Sequence, residues 1–334
     1  MKIKSLLIIT QCLFIGSAFA QDPSFSQFFS SPLTLNPANT GNFNGTLRLS
    51  GNIRNQWAVF NNPYATYTFS IDAPVLQKQL NHNDRMSVGL LLLSDQNGNG
   101  LFKQNFISAS LAYKKGFDAD ADHSLTIGFQ ATHGNTRFNT SLANFEDQLT
   151  ANGFSLATTE NVPIGSKSFF DINAGLIYGL STLDDKYFYL GLSAYHLLQP
   201  KTSIFDNDYS LQQRYNLHGG GYFPAGTNGT FHASFQFQRQ GDFNEWIVGG
   251  AYSYNFNSNP ESSLELYVGS WLRLNDAIVP YVSLEWKQLR IGLSYDVGYS
   301  ASKTASTHYQ TGELSINQIW NTNPGSALFK CPKF

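Results

Sequence analysis

Charged residues are scarce in this chain. Asp, Glu, Lys and Arg make up 13% of its 334 residues, whereas soluble domains usually contain about 25%. The formal net charge is −2, so the chain lacks the strongly basic surface that binding to nucleic acid requires. These two shortages argue against a soluble cytosolic enzyme and exclude nucleic acid as a partner.

Cysteine is almost absent, and the positions of its two copies are informative. Cys12 lies in a short apolar run that follows two lysines and ends near Ala20. A basic start, an apolar core and a small-residue site predict a secretory signal peptide over 1–20, cleaved after Ala20. The run is too short to cross about 30 Å of hydrocarbon, which needs roughly 20 residues. Cleavage would leave Cys331 alone, so we expect no internal disulfide.

Long apolar runs are missing after residue 20, and a period-two alternation takes their place. Leu47, Leu49 and Ile53 alternate with polar residues, and Phe231 and Phe235 do the same. Because successive side chains of a strand point to opposite faces, the pattern predicts strands with one apolar and one polar face. The predicted strands cover 46–59, 63–75, 85–96, 105–117, 123–138, 169–181, 186–200, 213–224, 229–240, 245–256, 264–275, 277–288, 289–300 and 308–320.

Fourteen long strands fit either a soluble double sheet or propeller, or a barrel in a membrane. Soluble strands usually have about five or six residues, whereas a tilted membrane-spanning strand needs about 9–11. Aromatic residues cluster near the predicted strand ends, as at 187–189, where membrane barrels carry aromatic girdles. The sequence therefore predicts an all-β fold, a transmembrane antiparallel β-barrel of about 14 strands surrounded by outer-membrane lipid.

The strand pattern divides the chain into four predicted parts. They are a signal peptide (1–20), a periplasmic or lumenal segment (21–45), an outer-membrane barrel (46–320) and a tail (321–334). An even number of strands places both chain ends in the periplasm. The longest connections, 139–168 and 201–212, are then expected outside the cell, as in other membrane barrels.

Several short motifs carry a resemblance to a known family. They are D-P-x-F-S-Q from Asp22, N-P-A-x-x-G from Asn36, a strand with Arg54 that reaches Q-W, S-K-x-x-F-D-I-x-x-G-L-x-Y from Ser166, G-L-S-x-x-H-L from Gly191, R-I-G-x-S-Y-D from Arg290 and C-P-K-F from Cys331. In this order the chain resembles the PorP/SprF family, outer-membrane proteins of the type IX secretion and gliding machinery. One departure is T-G-E-L at 311–314, where the family often has a G-S-H-E-like segment.

The resemblance implies a role in export. It implies an outer-membrane component of the type IX secretion system that supports export and surface attachment of large adhesin-like proteins, and gliding. The implied partners are a secreted adhesin with a C-terminal secretion domain and the periplasmic and outer-membrane components of the secretion motor. A transport channel for small hydrophobic or sugar solutes is the alternative, because a barrel fold does not fix its cargo.

The segment before the first strand combines aromatic residues with three prolines, which excludes a regular strand there. We expect this segment to be a lumenal plug or a periplasmic docking strip. The tail after the last strand is predicted to be a periplasmic docking element or a clasp that closes the barrel. The candidate partner-binding residues are Phe25, Gln27, Phe28, Phe29, Asn36, Pro37, Cys331 and Phe334.

Charged residues in the predicted strands fall on the face opposite the apolar one. Arg or Lys facing lipid at mid-membrane would cost about 2–4 kcal/mol, so we expect these charges to face the lumen. Both signs occur, which favours a lumen joined by ion pairs, although a surface that receives a client segment fits as well. The candidate lumen charges are Arg48, Arg54, Asp72, Asp171, Glu265, Arg273, Glu285, Lys287, Arg290 and Asp296.

The pattern indicates no catalytic, metal or cofactor site. None of the seven histidines belongs to a recognisable metal-ligating motif, and no G-x-S-x-G elbow occurs. Asp95 and Asn97 resemble the first half of a calcium loop, but Phe106 stands where a bidentate Glu is needed, so a hairpin turn is predicted. His218 and His232 are expected to face the lumen. An outer-membrane hydrolase, with a His paired to Ser or Asp near one rim, is a minor alternative.

Overall fold

The computed structural model describes residues 21–56, 64–81, 83–118, 121–151, 153–154, 157–160, 164–182, 184, 186–204, 209–257, 263–299 and 310–321. Four features singled out from the sequence lie outside the described residues. They are the predicted signal peptide, Trp57 of the Q-W motif, Cys331 and Phe334.

Fourteen antiparallel strands close into one barrel. The first strand pairs with the last from Leu47 opposite Trp320 to Gln56 opposite Thr311, so the barrel has no free edge. Closure satisfies the backbone hydrogen-bonding groups, which lipid requires. The strands are β1 (Leu47–Gln56), β2 (Tyr64–Val75), β3 (Arg85–Asn97), β4 (Phe102–Gly116), β5 (His123–Phe138), β6 (Gly165–Ser181), β7 (Tyr187–Tyr195), β8 (Arg214–Ala225), β9 (Gly229–Gln240), β10 (Phe243–Asn257), β11 (Leu264–Arg273), β12 (Ala277–Trp286), β13 (Leu289–Gly298) and β14 (Gln310–Trp320).

The prediction of a fourteen-stranded barrel is confirmed, with differences at strand ends. Strand β7 ends at Tyr195 rather than at 200, because His196 and Gln199 have left-handed backbone, with φ of 59° and 48°, which a strand does not accommodate. Lys287, predicted to face the lumen, instead lies exposed in the two-residue turn between β12 and β13. Its φ of 58° fits a tight hairpin turn, and its ammonium lies 5.1 Å from the centroid of the Trp286 ring.

The two faces of the barrel wall follow the period-two alternation. In β9, Phe231 is exposed, whereas His232, Ser234 and Gln236 are buried on the inner face. Exposed large apolar side chains line the outside of the other strands as well, for example Ile107 in β4. The wall therefore presents an apolar surface outward and a polar surface inward, as membrane barrels do.

The two ends of the barrel differ in the length of their connections. One end, here the loop end, carries the longest connections, 139–164 and 196–213. The other end, here the turn end, carries tight turns such as 226–228 and 287–288, the start of β1 and the end of β14. No helix among the described residues is long and apolar enough to cross a membrane.

Candidate functional site

The residues before β1, here the inner segment (21–46), run through the lumen from the loop end to the turn end. The Asp22 amide donates to the side chain of Gln240 at the loop end, at 2.9 Å. The Arg85 guanidinium, at the turn end, donates to the carbonyls of Gly41 and Gly45, each at 3.0 Å. Of the two positions considered from the sequence, the structure has the lumenal one. Asp22 and the end of β14 therefore lie at opposite ends of the barrel.

Short helical turns let the inner segment cross the lumen without a strand partner. A 3-10 turn (Phe28–Ser30), a four-residue α-helix (Pro32–Leu35) and a second 3-10 turn (Pro37–Asn39) follow one another. Proline stands at the first helical position of the last two, where its missing N–H costs no hydrogen bond. The Asn36 side chain caps the last turn by accepting from the Ala38 amide at 2.8 Å, a typical N-cap contact.

Asp22 is held by a buried charged group, here the Asp22 cluster, formed with Asp171, His196 and Arg214. The His196 Nε2 lies 2.6 Å from the Asp22 carboxylate, and its Nδ1 lies 2.6 Å from that of Asp171. Arg214 approaches Asp22 at 3.2 Å. A ring with a carboxylate on each nitrogen donates from both only when it is an imidazolium.

The charges of this cluster move two pKa values. Burial lowers the pKa of His196, but the charge of Asp22 and the hydrogen bonds with Asp171 and Asp22 outweigh it and raise the pKa to about 9. Burial raises the pKa of Asp22, but the charges of His196 and Arg214 and the hydrogen bonds with His196 and Gln240 hold that pKa well below its usual value. At neutral pH, His196 is therefore protonated and Asp22 is ionised.

A second charged group, here the Ser26 cluster, holds the next turn of the inner segment. The Glu313 carboxylate accepts from the amides of Ser26 and Gln27, at 2.6 and 2.9 Å, and pairs with Arg54 at 2.8 Å. The Ser26 hydroxyl donates to Asp296 at 2.8 Å and accepts from Arg273. A carboxylate that accepts hydrogen bonds from two successive backbone amides and a guanidinium forms strong, charge-assisted hydrogen bonds.

Aromatic side chains of the inner segment pack against the wall. Phe29 lies 4.8 Å from the ring of Trp271 and 5.4 Å from that of Tyr281, and Phe28 meets Phe29 edge to face. Phe25 and Phe28 are 4% and 3% exposed. These three candidate partner-binding residues are therefore held inside the lumen in this structure.

Asn36 and Pro37 occupy a close-fitting site in the middle of the lumen. The side-chain Nδ2 of Asn36 donates to the carbonyls of Leu176 and Leu192, each at 3.1 Å. The same nitrogen lies 3.0 Å from Nε2 of His218. A Cβ added at Gly175 would lie 1.9 Å from the Asn36 oxygen. Glycine at this strand position permits the close approach of the inner segment.

The remaining candidate charges lie further along the inner wall. Asp72 pairs with Arg48 at 2.8 Å and accepts from the Gly41 amide at 2.6 Å. Arg290 pairs with Glu285 at 2.6 Å near the turn end, and Glu265 stands opposite Glu285 in register. The candidate charges other than Lys287 thus lie on the inner face, and five of them contact the inner segment, namely Arg48, Arg54, Asp72, Arg273 and Asp296.

Sequence reasoning missed three charged wall residues that contact the inner segment, Glu313, Arg214 and Arg85. Each lies on the buried, inward-facing side of its strand. The period-two alternation could have identified two of them. Glu313 lies on the same face of its strand as Thr311 and Ser315, and Arg214 lies on the same face as Asn216 and His218. Within the described part of the chain, no group of three or more His, Cys, Asp or Glu side chains is arranged to hold a metal ion.

The motifs noted in the sequence meet around the inner segment. Asp22, Asp171 and His196 come from three different motifs and form one cluster, whereas Arg54 and Asp296 come from two others and meet at Ser26. A model of the family described as type IX secretion system membrane protein PorP/SprF matches residues 17–317. The chain belongs to this family. No curated protein sequence matches it.

Solved structures similar to this PorP/SprF protein are outer-membrane barrels. The toluene transporter TbuX of Ralstonia pickettii has a TM-score of 0.52 and 9% identity, over 87% of this chain and 94% of TbuX. The Pseudomonas putida toluene transporter TodX has a TM-score of 0.48 and 10% identity, over 86% and 91%. The translocator domain of the Neisseria meningitidis autotransporter NalP has 0.41 and 12%, over 88% and 96%. The likeness to TbuX, at this identity, supports the barrel fold alone.

Proposed function

We propose that this PorP/SprF protein supports the export and surface attachment of large adhesin-like proteins that carry a C-terminal secretion domain. In this role it is a non-catalytic, partner-binding barrel that works with periplasmic and outer-membrane components of the secretion motor. The observation that carries the proposal is the inner segment. Residues from four other family-like motifs hold it inside the lumen, which favours a partner-binding role over an open conduit.

A solute channel is the weaker alternative. The inner segment and its ion pairs occupy the lumen along its length, and the transporter function of TbuX belongs to a protein with which this chain shares 9% identity. The purified protein is expected to give no sustained conductance in planar bilayers. Rapid uptake of a sugar by liposomes carrying the protein, and not by protein-free liposomes, would favour the channel instead.

The main experiment is deletion of the gene followed by complementation. Cells without the protein should retain large adhesins inside the envelope, whereas cells complemented with the wild-type gene should display them. Surface adhesin is measured by antibody labelling of intact cells, and an unrelated outer-membrane protein serves as the control for envelope integrity. Normal adhesin display in the deletion strain would contradict the proposed function.

The inner segment offers a second test. Replacing Phe25, Phe28 and Phe29 with serine should leave a heat-modifiable barrel, because strand closure does not use these rings, and should abolish adhesin delivery or co-purification of the motor. Gln21→Ala, at an exposed position of the same segment, is the control. Failure of the triple variant to assemble would mean that the rings serve packing. Removal of residues 331–334 tests the proposed docking role of Cys331 and Phe334 in the same assays.

The proposal includes an orientation in the membrane. We place the loop end outside the cell and the turn end in the periplasm, because long external loops and short periplasmic turns are usual for such barrels. In a Cys331→Ser background, cysteines introduced at 139–164 should react with impermeant reagents on intact cells, and cysteines at 226–228 should not. The reverse labelling pattern would overturn the orientation without affecting the barrel fold.

A further inference from the structure

Outward-facing side chains near the loop end of β3–β6 form three rows that cross the four strands. Residues paired between neighbouring strands lie on the same face of the wall, so the register defines each row. The row farthest from the loops is exposed and apolar apart from one histidine, and consists of Leu92, Ile107, His133 and Phe170. The next row is polar, and the row nearest the loops holds two cations. The apolar surface of this part of the wall therefore ends about 13 Å along the strands from these cations.

The two cations lie side by side without a counter-charge. Lys103 is directly opposite Arg137 in the pairing of β4 with β5, and neither has an ion-pair or hydrogen-bond partner among the described residues. Like charges directly opposite each other in a sheet are destabilising. At the turn end of β4 the corresponding charge is balanced, because Lys115 pairs with Asp84 at 2.9 Å. An anion bound from outside the chain would remove the repulsion at the loop end.

The hydrogen bonds next to the two cations occupy acceptors and leave donors. The Asn135 Nδ2 donates to the hydroxyl oxygens of Ser166 and Ser168, at 3.0 and 2.9 Å. The Ser94 hydroxyl donates to Oδ1 of Asn105 at 2.9 Å. Within the described part of the chain, no acceptor receives the hydroxyl hydrogens of the first two serines or the amide hydrogens of Asn105. Together with the cations, which only donate, these groups form a surface here called the donor patch (Lys103, Asn105, Arg137, Ser166 and Ser168).

The donor patch lies at the level expected for lipid headgroups. The outward side chains of β4 begin with Lys103 and end with Lys115, and these two residues are about 40 Å apart along the strand. A strand tilted by about 40° covers about 30 Å of depth over that length, which matches the thickness of the hydrocarbon core. Lysine stems can also extend along apolar surface while the ammonium stays among polar groups. The two lysines therefore mark the two faces of the membrane.

We propose that the donor patch binds a phosphate group on the headgroup of a glycolipid in the outer leaflet of the outer membrane. A phosphate accepts several charge-assisted hydrogen bonds, and guanidinium and ammonium groups are its usual partners. A lipid is favoured over a free anion because exposed Ile107 and Phe170 lie directly below the patch, where acyl chains of the same molecule would pack. The choice of the outer leaflet rests on the proposed orientation, with the loop end outside the cell.

The test measures lipid binding by the purified, delipidated protein in a non-ionic detergent, with thermophoresis of the dye-labelled protein as the readout. The probe is lipid A, an acylated disaccharide, with two phosphates, and the control lipid has the same acyl chains and no phosphate. The wild-type protein should bind the phosphorylated lipid at least about tenfold more tightly than the control lipid. Added salt should weaken the binding of the phosphorylated lipid.

Variants of the donor patch locate the binding site. Lys103→Gln combined with Arg137→Gln should weaken binding of phosphorylated lipid A by at least about tenfold, because both charge-assisted contacts are lost. The matched control is Lys115→Gln combined with Lys186→Gln, which removes the same charge from exposed positions at the turn end. This control should leave the affinity unchanged.

Three results would overturn the proposal. They are equal binding of the two lipids by the wild-type protein, equal affinity of the wild type and the patch variant, and displacement of lipid A by inorganic phosphate at an equal concentration, which would mean a site for free phosphate. If the patch variant fails to migrate as a heat-modifiable barrel, Lys103→Gln alone decides, with about threefold weaker binding if the proposal holds and no change if it fails. The assay in detergent does not depend on orientation, so its failure is distinguishable from a reversed pattern of cysteine labelling on cells.

Discussion

Two stretches of the inner segment are held in different ways. The loop-end stretch, 21–27, is held by charged side chains of the wall, through the Asp22 and Ser26 clusters. The middle stretch, 35–38, is held by neutral hydrogen bonds of Asn36 and by close contact with wall glycines. Charged contacts respond to pH, salt and competing charges, whereas close packing does not. The loop-end stretch is therefore expected to respond to pH and salt, and the middle stretch to changes of side-chain volume.

The largest expected effect comes from Glu313, at the centre of the charged stretch. Glu313→Ala removes the acceptor for two backbone amides and leaves Arg54 buried with Asp296 as its remaining carboxylate partner among the described residues. Breaking a buried ion pair by removing one partner costs about 3–5 kcal/mol. The free energy of unfolding, measured by urea titration in detergent, should fall by that amount. A fall under about 1 kcal/mol would mean that the Ser26 cluster is not what holds this stretch.

The middle stretch should respond to volume rather than to charge. A Cβ at Gly128 would lie 2.3 Å from the Ala38 amide nitrogen, and overpacking of a filled site costs about 1–3 kcal/mol. Gly128→Val should therefore displace residues 35–38, and the effect should be the same at low and high salt. The readout is the mobility of a spin label at Thr34→Cys in a Cys331→Ser background. Gly312→Val is the control, because nothing lies within 4 Å of a Cβ at Gly312.

The barrel itself could be predicted from the sequence because period-two alternation is a local signal. The inward position of Arg54 or Asp296 follows from the same parity. The course of the inner segment could not be predicted, because its partners lie far away in the chain. Asp22 meets His196 and Ser26 meets Glu313 only after the barrel closes. His196 belongs to one of the sequence motifs, but its pairing with two carboxylates depends on its own left-handed backbone conformation, with φ of 59°. The sequence does not predict that conformation.

The Asp22 cluster should make the loop-end stretch sensitive to pH. Because the pKa of His196 is raised from 6.5 to about 9, its contribution is complete below pH 6.5 and is lost as pH rises through 9. The pKa of Asp22 is lowered, so its contribution is present above its ordinary value of 3.8 and is lost in acid. A spin label at Ser24→Cys, again with Cys331→Ser, should be most immobile between about pH 4 and 6.5 and should loosen toward pH 9.

His196→Gln provides the control for that pH profile. Glutamine keeps one hydrogen bond but has no charge, so the loosening between pH 6.5 and 9 should disappear. The label should then be mobile at every pH above 4. An unchanged profile in this variant would show that another group causes the pH dependence. A label at Thr34→Cys, next to the middle stretch, should show little change over the same range, which tests the contrast between the two stretches.

The smallest effect is expected where the loop-end stretch uses a neutral contact. The Gln240 side chain accepts from the Asp22 amide at 2.9 Å, and a neutral hydrogen bond contributes about 0.5–1.5 kcal/mol. Gln240→Ala should lower the free energy of unfolding by about that amount and leave the pH profile of the Ser24 label in place, because His196 and Arg214 still hold Asp22. A loss as large as that of Glu313→Ala would mean that neutral contacts hold this stretch as strongly as charged ones. The distinction between the two stretches would then be one of position rather than of chemistry.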